Sequence, residues 1–162
     1  MNLKLLAILP DGTEIEPTCV QGVFHGTSLF PPTVAFNTGI PQKGDDRRLL
    51  EHANGNDRSA FRGSTTHPAL APGLGAAYWA DVGGWVYQVS PIATWHLERE
   101  LEGRVPVPGG FSGAPHIGES EHAVPSQLTP ECLTRVGQVE AGRPVGSEQR
   151  LLVRHWHRNP TV

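Results

Sequence analysis

Along this chain the apolar residues come in short runs broken by Gly, Pro, Asn and Asp, a pattern that predicts strands joined by turns rather than long helices. Leu3–Leu9 reads as a first strand, Asp11-Gly12 as a tight turn and Glu14–Cys19 as the hairpin partner. Val20–His25 is the next strand. Pro31-Pro32 then starts a short helix over Thr33–Asn37, because proline fits a first helical turn, and Gly39 stops it. Gly44–Asn56 sets Leu49 and Leu50 among charges and ends on Asn54-Gly55, a loop holding one helical turn.

Further on, Ser59–Thr66 predicts a strand and Gly75–Asp81 a short helix ended by Gly83-Gly84. Trp85–Val89, aromatic and β-branched, is a strand bounded by Gly84 and Pro91. From Gly103 to Gly118 the chain is rich in Gly, Pro and Val, a long loop of the kind usually tied to function. Val124–Leu128 and Leu133–Val139 bracket Thr129-Pro130, and Leu151–His157 is a last strand. Strands dominate without regular βαβ alternation, so the fold class is α+β with largely antiparallel sheets, in a single domain over residues 1–162.

Composition narrows the function. With 19 Gly and 15 Pro among 162 residues the protein should be globular but rich in loops. A net charge of -3 gives no broad basic field, which weighs against reading duplex nucleic acid by its phosphates. The apolar run Leu3–Pro10 contains Lys4 and is followed by Asp11 and Glu14, so neither a membrane span nor a signal peptide is visible. The expectation is a chain made in the cytoplasm, without a membrane partner, or exported by a specialised route. Cys19 and Cys132 permit one disulfide and form no metal cluster; in a cytoplasm they would be reduced.

Three short motifs carry candidate chemistry. His25-Gly26-Thr27 ends a strand, where an imidazole with one donor and one acceptor stands beside a glycine that lets a ligand approach the main chain. Ser64-Thr65-Thr66 ends another, and its hydroxyls can orient a carboxylate or satisfy a turn. Glu119-Ser120-Glu121 follows the glycine-rich loop. In an extended segment its two carboxylates share a face, where like charges are costly unless a cation or polar substrate joins them. His155-Trp156-His157 would also put two imidazoles on one face, but no further ligand at metal spacing accompanies them, so no metal is expected. Gly110–Gly113 lacks the spacing of a nucleophile elbow, and there is no G-x-G-x-x-G or Walker A sequence.

The order of these motifs resembles the ADP-ribosyltransferase toxin family. The stretch FHGTSLFPPTVAFNTGIPQKGDDRRLLEHANGNDRSAFRGSTT is similar to the region of cholera-, pertussis- and pierisin-type enzymes that runs from an aromatic first strand through a Pro-Pro helix to a Ser-Thr-Ser strand. SEHAVPSQLTPECLTRVGQV resembles the segment with the catalytic glutamate, and the likeness covers roughly residues 20–140. Where cholera-type members carry an arginine this chain has His25, and His-Gly-Thr is more like the diphtheria and poly-ADP-ribose-polymerase group. Arg always carries charge and His does not, so Arg47, Arg48, Arg58 and Arg62 are candidate substitutes as pyrophosphate anchor.

The resemblance implies two packed, mostly antiparallel sheets forming an NAD cleft, with short peripheral helices. It implies a mono-ADP-ribosyltransferase toxin or effector using NAD as substrate. Glu121 would stabilise the positive ribose, Glu119 would face the acceptor, and Ser64 would brace Glu121. His25, Gly26, Thr27, Thr65, Thr66 and Tyr78 would line the NAD site, with Trp79 and Phe61 as further aromatics that could stack or pack. Glu at both acidic places favours a protein arginine as acceptor, with nucleic acid also open, and an immunity protein is an expected partner. An NAD glycohydrolase, or a non-catalytic module binding NAD, ADP-ribose or a protein, are the alternatives.

Overall fold

The computed structural model describes residues 4–69, 75–101 and 121–162. A small hairpin pairs β1 (Ala7–Ile8) with β2 (Glu14–Ile15) around Gly12, whose φ of 86° suits glycine. Then come β3 (Cys19–Thr27), α1 (Pro32–Thr38), α2 (Leu49–Ala53), β4 (Phe61–Thr65), α3 (Ala76–Ala80), β5 (Trp85–His96), α4 (Leu97–Leu101), β6 (Glu121–Pro125), β7 (Leu133–Ala141) and β8 (Leu151–Arg158). Pro32 opens α1 and Gly39, at φ 80°, closes it, as the Pro-Pro and Gly positions predict.

Every ladder between these strands is antiparallel, and β5 is the organiser. One edge of β5 follows β3 from Trp85 opposite Thr27 to Thr94 opposite Cys19. Its other edge is divided: Trp85–Val89 pair with β7, and Trp95 and His96 pair with β6. β7 carries β8 outward and β6 carries β4, so a six-stranded antiparallel sheet is organised about β5, in the α+β arrangement expected.

Sequence reading ended β5 before Pro91, yet the strand runs on to His96. Pro91 falls where the β3 register shifts between Gln21 and Val23 and where β7 has stopped and β6 has not begun. A missing N–H at such a place breaks no ladder bond. β6 starts at Glu121, earlier than the apolar run alone implied, because β4 pairs with it along its whole length from Phe61 to Thr65. The two imidazoles of β8 do not share a face. His155 adopts φ 59° at a bulge and meets Glu140 Oε1 at 3.0 Å, while the His157 ring stands edge-on to Phe36.

Three apolar clusters hold the layers. Phe61 and Trp95, both fully buried with ring centroids 5.0 Å apart, pack with Leu49, Leu97 and Leu101 under the hairpin, which Trp95 pins by donating Nε1–H to Ile15 O at 3.2 Å. Burying each such side chain contributes roughly 1.5–3 kcal/mol. Val23, Tyr87, Val124 and Leu133 pack against Ala35 and Phe36 of α1. The alanines of α3 lie on Val86, Val139 and Leu151. Cys19 and Cys132 are both free thiols.

Candidate active site

β3 and β4 meet at one residue pair, Phe24 opposite Thr65, since β3 otherwise pairs with β5 and β4 with β6. A side chain bridges them. His25 donates Nδ1–H to the carbonyl of Gly63 at 2.7 Å. A carbonyl only accepts, so this bond fixes the proton on Nδ1 and leaves Nε2 as an acceptor. Nε2 is buried and has no partner among the described residues. Burial first, then the charges of Arg62 and Lys43, lower the His25 pKa to about 4 against the opposing pull of the Gly63 carbonyl. The imidazole is neutral at pH 7.

Gly63 gathers the site. A Cβ there would stand 3.2 Å from Glu121 Oε1 and 3.7 Å from the Trp79 ring, so the bare Cα gives room to a carboxylate and an indole. Glu121 opens β6 directly opposite Thr65 and is only 6% exposed. An acceptor nitrogen therefore lies on one side of a single glycine and a buried carboxylate with an aromatic wall on the other.

The remaining sequence candidates divide between this site and its supports. Ser64, fully buried, donates to the carbonyl of His122 at 2.8 Å; it fixes the β6 main chain next to Glu121 rather than gripping the carboxylate. Thr65 Oγ1 accepts from the His67 N–H at 3.3 Å, Thr27 Oγ1 accepts from the Leu29 N–H at 3.1 Å, and Thr66 follows β4 in a half-buried bend. Gly26 is needed for packing: a Cβ there would lie 1.9 Å from the carbonyl oxygen of Ala76 in α3. Tyr78 is anchored to the sheet. Its hydroxyl accepts from the Leu151 N–H at 3.1 Å, tying α3 to β8, and Trp79 takes the position near Glu121. Phe61 is core. Glu119 lies outside the described residues.

Of the four arginines considered as anion anchors, one is at the site. Arg47 bonds Leu6 O and Glu14, Arg48 is paired with Asp46 at 2.8 Å, and Arg58 is exposed. Arg62 precedes Gly63, is 8% exposed, and donates to the carbonyls of Ser126 and Pro41 at 2.6 Å each, with Phe30 under its guanidinium. No carboxylate pairs with it among the described residues. Burial lowers its pKa, and partial burial followed by the Arg62 charge lowers that of Lys43. A buried cation with no carboxylate partner among the described residues, near an imidazole whose Nε2 is unmatched there, is suited to an anionic, hydroxyl-bearing ligand. Gly63 escaped the sequence reading, although a glycine inside a strand is itself a signal of close approach.

No protein-family model matches the chain, and no curated protein does. Solved structures do: the chain shares the fold of EcPltA, the CARDS toxin and the Scabin toxin. The chain is similar to EcPltA at a TM-score of 0.61 and 16% identity, covering 88% of this chain and 87% of that one. It is similar to the nicked CARDS toxin at 0.60 and 13%, covering 89% of this chain and 31% of that one. The Scabin toxin from Streptomyces scabies, in complex with NADH, matches at 0.56 and 18%, over 76% of this chain and 66% of that one.

Proposed function

We propose that the protein is a mono-ADP-ribosyltransferase of the toxin or effector type, which takes NAD as substrate, releases nicotinamide and transfers ADP-ribose to a macromolecular acceptor. The observation that carries this reading is the assembly at Gly63: His25, Trp79 and Glu121 come from three separate segments to one glycine, on the fold of the ADP-ribosyltransferase toxins. The residues fit the substrate. His25 Nε2 accepts from a ribose hydroxyl or carboxamide N–H, Trp79 offers a stacking face, and Arg62 with Lys43 faces the diphosphate that His25 cannot neutralise.

In the reaction the C1′–N bond to nicotinamide breaks with its electron pair leaving on the nicotinamide ring. Positive charge then builds on the ribose, as in glycoside cleavage. The Glu121 carboxylate is held where such charge is stabilised most, in a site poor in water. Ser64 holds β6 so that the carboxylate need not reorganise. The acceptor nitrogen bonds C1′ and gives up a proton. Glu119 orients a protein arginine and takes that proton as the bond forms.

The test is incubation with NAD labelled in its adenylate half and a cell lysate. Label in protein that survives denaturation supports the reading, and hydroxylamine-sensitive attachment supports arginine. Label only in free ADP-ribose assigns a glycohydrolase instead, and label in nucleic acid overturns the protein acceptor.

A further inference from the structure

Two strands from β3, across the β7–β8 ladder, two arginines face each other. Arg135 of β7 is directly opposite Arg158 of β8, an arrangement of like charges that destabilises a ladder unless something neutralises it. No carboxylate pairs with either guanidinium among the described residues. They line a cavity of about 420 Å³ with Gln88, Thr134, Asn159 and Val162.

The cavity has a fixed half and a free half. Arg135 donates Nε–H to Gln88 Oε1 and stacks 4.4 Å from the centre of the Trp156 ring, so its guanidinium is held in place with its terminal nitrogens uncommitted. Trp156 is in turn set edge-on against Phe24 at 5.9 Å. Thr134 and Asn159 are also anchored, Thr134 Oγ1 on Gln88 O and Asn159 Nδ2 on the Pro130 and Leu133 carbonyls. The Arg158 side chain is exposed and, among the described residues, makes no hydrogen bond or ion pair. A pre-oriented guanidinium opposite an exposed one matches a tetrahedral dianion, which takes a bidentate contact from the first and a further contact from the second.

We propose that this cavity is a phosphate-binding site, separate from the NAD cleft, that takes the phosphoryl group of a small ligand between Arg135 and Arg158. Its occupant satisfies both guanidinium groups and removes their repulsion. Trp156 is already covered by Arg135, so the site reads the phosphoryl group and offers no stacking face to a base.

Nitrogen-15 NMR titration of the whole chain at constant ionic strength, with inorganic phosphate and with adenosine monophosphate, tests this. The expected result is saturable shifts of the Gln88 and Asn159 side-chain amides and the Trp156 indole N–H, with affinity about tenfold weaker in Arg158→Gln and in Arg135→Gln. The Arg158 side chain makes no hydrogen bond or ion pair among the described residues, so its variant carries the test even if Arg135→Gln disturbs β7. Equal affinities for the two probes support a site for phosphate alone, and a tenfold preference for the monophosphate supports a nucleotide. Shifts that do not saturate, or that persist unchanged in Arg158→Gln, overturn the proposal.

Discussion

His25 and His122 are two buried histidines with the same charge state and opposite completeness. Burial holds each near a pKa of about 4, helped at His25 by Arg62 and Lys43 and at His122 by His96 and Arg99. At His122 both ring nitrogens are used. Gln21 Nε2–H donates to its Nε2 at 2.5 Å, and its own Nδ1–H donates to Thr94 Oγ1 at 2.8 Å. At His25, among the described residues, only Nδ1 has a partner, and Nε2 is buried without one. A buried acceptor left unmatched costs about 1–3 kcal/mol. Equal burial thus produces a structural histidine in one region and a ligand-facing one in the other, and the difference lies in a single hydrogen bond.

The comparison breaks most visibly in stability. His122→Leu removes two buried bonds and strands Gln21 and Thr94, so urea unfolding should show a loss of about 3 kcal/mol. NAD affinity measured on the folded variant should be unchanged; a collapse in affinity with stability intact would reverse the roles of the two residues.

Acid sharpens the same point. The unfolded chain protonates its histidines near 6.5 while the folded chain resists to about 4 at both positions, so protons favour unfolding across that window. Stability should be full above about pH 6.5 and fall as pH drops towards 4, by up to about 3 kcal/mol per group. Unfolding curves measured across this range check it, and His25→Asn should flatten the dependence by about half.

Ligand effects are smaller. Arg62→Gln should weaken NAD binding about tenfold, through loss of a charge-assisted contact. Arg58→Gln, at an exposed position, serves as the matched control and should leave affinity unaltered. His25→Ala loses one neutral hydrogen bond to the ligand, about 0.5–1.5 kcal/mol, and should weaken NAD severalfold in a calorimetric titration, while the Gly63 carbonyl left without its partner should lower stability by about 1–3 kcal/mol. Unaltered affinity would remove His25 from the site.

The strands were legible where turn residues and periodicity agree. Pro31-Pro32, Gly39 and Asp11-Gly12 each did in the fold what their chemistry implies. The extension of β5 beyond Pro91 was not legible, because it depends on which partners β3, β6 and β7 leave at that point. The short helix α4, Leu97–Leu101, has too few residues to show a period and was not anticipated. Site motifs were located by order along the chain, yet their contacts were not. In a helix as short as α3, nothing local decides whether Tyr78 or Trp79 turns towards Glu121; the bond from Leu151 to the Tyr78 hydroxyl decides it. Arg62 was one of four equivalent arginines in the sequence, and only burial without a counterion distinguishes it.

The central claim is that the carboxylate at Gly63 drives cleavage of NAD. Glu121→Gln preserves shape and leaves NAD able to bind, but it removes the charge facing the ribose. The direct measurement is nicotinamide release by wild type and Glu121→Gln, with folding checked by circular dichroism and NAD affinity by calorimetry. The account predicts a fall of about a hundredfold or more, for an electrostatic contribution of roughly 3 kcal/mol, with binding retained. A folded Glu121→Gln protein that releases nicotinamide at the wild-type rate would contradict it.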